Sequence, residues 1–156
     1  MLDKDQLKKW LAGVVAIGAG VLLSACSASA ATSTSSAAVT LNPSSGPTSG
    51  KPTWSTSIAC PSGFQGSAIF RELHNDGTTT NSISPVVNGT ASAFHGTLQA
   101  SIARIQDAGG VPEGGTQKLF VICFSGPSLT GKSDPQMTVY IKYSADGTTY
   151  TTSGTR

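Results

Sequence analysis

The sequence is short of charge. Only 12% of its 156 residues are Asp, Glu, Lys or Arg, about half the usual share in a soluble globular protein. Helices solvated on one face draw on long charged side chains. With Gly, Ser, Thr and Ala abundant in their place, the composition leans toward β-structure. The net charge is +2, and three of the ten basic residues, Lys4, Lys8 and Lys9, fall in the first ten positions. The remainder is close to neutral and has no basic patch or stripe, which argues against a nucleic-acid partner. The length suits one domain of ordinary size.

A long apolar run is also missing, with one partial exception. Leu11 to Ala25, LAGVVAIGAGVLLSA, carries no charge and follows the lysines. As a helix it would span roughly 22 Å at 1.5 Å per residue. That is short for a hydrocarbon core about 30 Å thick. A basic head, a short apolar stretch and then small residues are the parts of a secretory signal. The other reading is a buried core helix, for which glycines and β-branched residues make a poor interior. Leu23-Ser24-Ala25-Cys26 resembles a bacterial lipobox: an aliphatic residue, two small ones, then the cysteine that accepts diacylglycerol and becomes the mature N-terminus. Two acyl chains would give stable anchoring, at roughly 0.8 kcal/mol per buried methylene. The rival is ordinary cleavage after Ala30 in Ala28-Ser29-Ala30, which would release a soluble protein.

Cysteine is scarce as well, with three in the chain. If Cys26 carries lipid, Cys60 and Cys123 remain as an even pair in an exported protein, where disulfides persist. Two buried free thiols are the alternative. Ser27 to Ala38, SASAATSTSSAA, is uncharged and nearly without large apolar groups, so it cannot offset its own ordering entropy. The expected organisation is a signal peptide over 1–25, a disordered stalk over 26–37 and one domain over 38–156.

Within that domain the pattern is one of strands and turns. Val39 to Leu41 precedes the breaker Asn42-Pro43-Ser44-Ser45-Gly46. Over Thr53 to Cys60, Trp54, Thr56, Ile58 and Cys60 share one face under the period of two. Ser67 to Leu73 is a further strand, ended at Asn75-Asp76-Gly77. Ile83 to Val87 and Thr90 to Phe94 flank Asn88-Gly89, a strong hairpin signal. Thr97 to Ile105 reads as strand or short helix, since Leu98, Ile102 and Ile105 also fit helical spacing. Gly109-Gly110 and Gly114-Gly115 frame a loop, and Lys118 to Ser125, Met137 to Tyr143 and Thr148 to Thr152 are the last strands. Seven or eight short strands with regular turns make an all-β sandwich.

VTLNPSSG, a cysteine near the end of the second strand, and KLFVICF with the second cysteine late in the chain resemble the immunoglobulin-like modules of bacterial surface proteins, over about residues 38 to 156. The resemblance implies an Ig-like antiparallel β-sandwich with a Cys60–Cys123 bridge between its sheets. Two departures stand out: Val121 occupies the position of the tyrosine corner, and Trp54 lies on the strand of the first cysteine.

Gly126 to Ser133, GPSLTGKS, fits the phosphate-loop pattern G-x-x-x-x-G-K-[ST]. That loop works only where a helix starts behind it and turns its amides and dipole on the phosphates. Here Gln136 to Tyr143 alternates apolar and polar like a strand. The motif is read as a hairpin loop, and no nucleotide partner is expected.

Other chemistry is sparse. His74 and His95 are the only histidines. Glu72, two residues before His74, makes a metal pair conceivable, but structural zinc usually has four protein ligands, so no metal and no cofactor are expected. No serine stands in G-x-S-x-G, and Asp107, Glu113, Asp134 and Asp146 fall in expected turns, where carboxylates support the backbone. The chain is not expected to be an enzyme. One strand is apolar on both faces: Leu119, Val121 and Cys123 on one, Phe120, Ile122 and Phe124 on the other. Either a loop covers the second face or Phe120, Ile122 and Phe124 line a contact site. The expectation is a lipid-anchored extracytoplasmic binding, adhesion or spacer module with a protein or glycan ligand. The alternatives are a secreted carbohydrate-active or hydrolase-associated domain and a prophage-type lipoprotein that blocks a receptor.

Overall fold

The computed structural model describes residues 38–154, so the expected signal peptide, Cys26 and the expected stalk lie outside the described residues. Ten strands, numbered in chain order, form two antiparallel sheets. The small sheet has the order β1 (Val39–Asn42), β3 (Thr53–Thr56), β7 (His95–Thr97). The large sheet has the order β2 (Ser45–Pro47), β10 (Thr149–Ser153), β9 (Ser133–Tyr143), β8 (Thr116–Phe124), β4 (Ser67–Leu73), β5 (Thr80–Ser82), and β6 (Val87–Asn88) also pairs with β4. The chain is an all-β sandwich, as the spacing of strands and turns implies.

The two sheets meet through side chains on alternate positions. Val39, Leu41 and Trp54 come from the small sheet; Ala68, Phe70, Leu119, Val121, Met137, Val139 and Ile141 come from the large one, all at most 2% exposed. Trp54 stacks at 5.0 Å on Phe70 and meets Phe94 edge-on at 5.8 Å. Such pairs contribute about 0.5–1.5 kcal/mol each beyond the area they bury. Gly96, opposite Trp54 in the small sheet, needs its missing side chain. A Cβ there would lie 2.9 Å from the indole ring.

Cys60 and Cys123 form a disulfide, Cα to Cα 5.9 Å, and both residues are buried. The bridge joins β8 to the connection leading from β3 into β4. Cys60 itself stands beyond β3, which ends at Thr56. The alternation expected to run from Thr53 to Cys60 breaks there, and Ile58 is 54% exposed. In place of β3 pairing, Cys60 is held by the disulfide, by its amide donating to the Thr90 carbonyl at 3.0 Å and by Gln65 Nε2 donating to its carbonyl at 3.1 Å.

The middle of the chain departs furthest from its sequence pattern. Asn88-Gly89 is not a hairpin turn. Gly89 does adopt the positive φ of +71° that the pair suggested. Yet its amide and that of Thr90 donate to Gly66 and Gln65 across the sheet, at 3.0 and 3.1 Å. Neither Ile83 to Val87 nor Thr90 to Phe94 forms the strand that a hairpin would require; the strands are β5, β6 and β7 beside them. The ambiguous Thr97 to Ile105 stretch resolves into β7 and a helix, α1 (Ile102–Ala108). Seven residues are too few to hold a helix by themselves. Ser101 caps it by accepting from the Arg104 amide at 3.4 Å. The amides of Ile102 and Ala103 donate to Gly50 and Thr48 at 3.0 and 2.7 Å, which occupies donors that a helix start leaves free. Ile102 and Ile105 then bury in the core.

Candidate functional site

The strand β8 settles how the two faces of KLFVICF are used. Gln117, Leu119, Val121 and Cys123 point inward and are buried, whereas Phe120, Ile122 and Phe124 point outward and are half-buried. Across β4 they lie opposite Arg71, Ile69 and Ser67. The loop from Gly126 covers one end of this face. The Ser67 hydroxyl donates to the Gly126 carbonyl at 2.8 Å and accepts from the Leu129 amide at 3.0 Å, and Ser67 is fully buried. At the other end the Lys118 ammonium lies 5.7 Å from the centre of the Phe120 ring. A loop thus folds over the Ser67 end of this face, and Phe120, Ile122 and Phe124 stay partly exposed.

That same loop is the GPSLTGKS segment. It contains a 3₁₀ turn, Pro127–Leu129, and β9 begins at Ser133. The amide of Gly126 donates to Thr130 and that of Thr130 to Pro127, while the Ser125 hydroxyl accepts from Lys132. These amides close a strand-to-strand connection, while those of Ser128 and Leu129 dock it on Asn88 and Ser67, in place of the strand–loop–helix geometry that would cradle a phosphate.

The opposite end of the sandwich holds a polar cluster. β4 places Ala68, Phe70 and Glu72 on its inward face, so Glu72 is carried into the interior, where it is 1% exposed. Its Oε1 accepts from Asn81 Nδ2 at 3.1 Å and its Oε2 from Gln117 Nε2 at 3.3 Å. Gln117 Nε2 also donates to the Ile105 carbonyl at 3.3 Å, and Gln117 Oε1 accepts from the Tyr143 hydroxyl at 2.5 Å. Gly109 leaves room for this network: a Cβ there would overlap the Gln117 amide. His74 Nε2 lies 3.6 Å from Glu72 Oε1 and 2.8 Å from Asn81 Nδ2. Burial pushes the Glu72 carboxyl upward, against the Asn81 bond, the charge of His74 and the Gln117 bond. Burial, with the negative charge of Glu72 nearby, drives the Tyr143 phenol well above its usual range. The Glu72–His74 pair seen in the sequence is thus real as a contact. It gathers amides around it, and among the described residues no group of three metal-binding side chains forms.

Glu72 also lines an open cleft of about 730 Å³, within the usual range for small-molecule sites of roughly 300–1,000 Å³. Asn81, Ser82 and Ile83 form one wall, Arg104, Ile105 and Ala108 of α1 another, and Lys51 and Gln99 to Ser101 close it. The walls are tied together by two main-chain bonds and one from a side chain. Gln99 donates to Ile83 at 2.9 Å, Ile102 to Gly50 at 3.0 Å, and Lys51 Nζ reaches the Gln99 carbonyl at 3.3 Å. From the sequence, no convergent polar cleft was expected. One signal was present: Glu72 and Gln117 occupy inward positions in strands whose other inward residues are apolar. Asn81 reaches Glu72 from the opposite position of the local β4–β5 pair, whereas Lys51 and Arg104 carry no such mark, because long-range folding alone brings them to the cleft.

No family model matches this chain, and neither a curated protein nor a solved structure matches it.

Proposed function

We propose that the chain is a bacterial lipoprotein, acylated at Cys26 and held at the extracytoplasmic face of a membrane, whose Ig-like sandwich serves as a non-catalytic binding module. The observation that carries this reading is the disulfide. With Cys60 and Cys123 bridged, Cys26 is the one cysteine of the three left over, and it stands directly behind the apolar leader and the small residues Ser24 and Ala25. A bridge also fits an oxidising compartment. The half-buried Phe120, Ile122 and Phe124 supply a contact ridge for a protein or glycan ligand. The Glu72 cleft has one carboxylate among its lining residues, whereas acid–base hydrolysis of a glycoside uses two, so binding is favoured over turnover.

The cleft gives some weight to a second reading, a secreted domain without lipid. One measurement separates the two. The intact mass of the mature protein from native membranes is expected to show diacylglycerol on Cys26 and the absence of two thiol hydrogens. A soluble chain beginning at Ala31, or an uncut leader, overturns anchoring. For the ridge, Phe120→Ser with Phe124→Ser is expected to abolish self-association or partner capture; binding unchanged in both assays removes the ridge from the account.

A further inference from the structure

The turn at the tip of the Gly126 loop is strained. Ser128 and Leu129 have φ of 52° and 62°, and they are the two non-glycine residues with positive φ among the described residues. The Thr130 amide donates to the Pro127 carbonyl at 3.1 Å, which closes a tight turn around them. Turns with two left-handed central residues draw on pairs such as Asn-Gly, because a larger side chain there crowds its own main chain. A Ser-Leu pair keeps that conformation only where its surroundings impose it.

Those surroundings are few. The Ser128 amide donates to Asn88 Oδ1 at 3.1 Å and the Leu129 amide to Ser67 Oγ at 3.0 Å, while the Ser67 hydroxyl donates to the Gly126 carbonyl at 2.8 Å. From Gly126 to Lys132 no residue is buried; Leu129 is half-buried and Pro127 is exposed. Core packing therefore does little to hold the turn down. At the neck of the loop the Ser125 amide donates to the Lys132 carbonyl at 2.9 Å and the Lys132 amide to the Ser125 hydroxyl at 2.9 Å, which confines the strain to the residues between. Segments with so few buried apolar contacts open at a fraction of the free energy of global unfolding.

We infer that this loop is a strap under tension. Closed, Asn88 and Ser67 hold a left-handed Ser-Leu pair against the sheet. Released, the pair relaxes, and the turn opens without unfolding the sandwich. Ser67 lies opposite Phe124 across β4 and β8, so opening bares Ser67 and lengthens the exposed stripe of Phe120, Ile122 and Phe124 at one end. That consequence rests on the stripe being a contact site; the opening itself does not.

The test is native-state hydrogen exchange of the full chain in detergent micelles, at zero and at low urea. The amides of Ser128 and Leu129 are compared with that of Val121 in the centre of β8. They are expected to exchange at least about a hundredfold faster than Val121 yet more slowly than a free chain. Their rates should ignore urea, because a local opening exposes little surface. Asn88→Ala, at an exposed position, should speed exchange at Leu129 about fivefold, and Ser67→Ala should speed it further; Asn88→Ala carries the test if Ser67→Ala fails to fold. Ser128→Asn with Leu129→Gly relieves the strain and should slow exchange at Thr130 about tenfold. Exchange at Ser128 and Leu129 that matches Val121 in rate and urea dependence, or that runs at the free-chain rate, overturns the strap. So does a Thr130 rate unchanged by the Asn-Gly pair. No partner enters these rates, so they judge the strap separately from the ridge.

Discussion

The two ends of the sandwich interior are built from the same strands and held by opposite means. At one end Ala68 and Cys123 face each other across β4 and β8, the disulfide closes the layer, and Phe70, Trp54 and Phe94 pack behind it. At the other end the same two strands deliver Glu72 and Gln117, tied to Tyr143 and Asn81 by hydrogen bonds. The apolar end is stabilised by burial, which is insensitive to direction, and by a covalent link. The polar end holds only while every donor and acceptor keeps its partner. It is also where the cleft opens. Two turns flank it, each organised by one aspartate: Asp76 accepts from Thr78 and Thr79, and Asp146 from Ser144 and Thr148.

If that contrast is right, the largest loss should come from the covalent end. Cys60→Ala with Cys123→Ala releases a loop with a sequence separation of 63 and is expected to cost about 4 kcal/mol in the chain-entropy model. Urea unfolding gives the total, and hydrogen exchange should show amides 67–70 and 121–124 losing protection first. Tyr143→Phe tests the polar end. It leaves buried Gln117 Oε1 without its donor and is expected to cost about 1–3 kcal/mol by the same unfolding measurement. A cost above that of the disulfide would invert the comparison.

A smaller effect is expected at the helix that backs the cleft. Ser101→Ala removes the cap of α1 and should cost about 1 kcal/mol, with exchange speeding up at Arg104 and leaving β8 unchanged. The slightest effect should be that of acid on the two turns. Hydrogen bonds hold Asp76 and Asp146 down to about 2, from an ordinary value of 3.8. Their contribution is therefore complete above pH 3.8 and is lost as pH falls through about 2. Glu72 acts in the other direction. Its carboxyl is raised above 4.5, so the stability it contributes is full below that pH and is lost as pH rises through its folded value. Stability is expected to be greatest near pH 4 to 4.5, and Asp76→Asn with Asp146→Asn should flatten the acid side alone.

How much of this could be read in advance follows from the range of the forces involved. SAIFREL became β4 with the limits its alternation suggested, and the faces of KLFVICF and YIKY were legible because inward and outward positions differ by one residue along the chain; the start of β9 was not, since Ser133, Asp134 and Pro135, expected in a turn, pair with β8. Asn88-Gly89 shows the boundary of that logic. The local preference for positive φ was honoured at Gly89, but its amide found Gly66, next to β4, and not a hairpin partner, since pairing partners are chosen over the whole sheet. Glu72 was noticed only as a neighbour of His74; its burial depended on Gln117 and Tyr143 arriving from 45 and 71 positions away.

The amino-acid sequence by itself determined the β-rich character, the period-two division of each long strand into two faces, and the failure of GPSLTGKS to meet a helix, because all of these rest on neighbours a few residues apart. Tertiary structure alone decided that Cys60 is fixed outside β3, that Ser67 is buried under the Gly126 loop, and that a buried carboxylate shares a cleft with Lys51 and Arg104. Those outcomes depend on which distant segments close over one another, and the free energy of that closure is distributed over the entire packed interior.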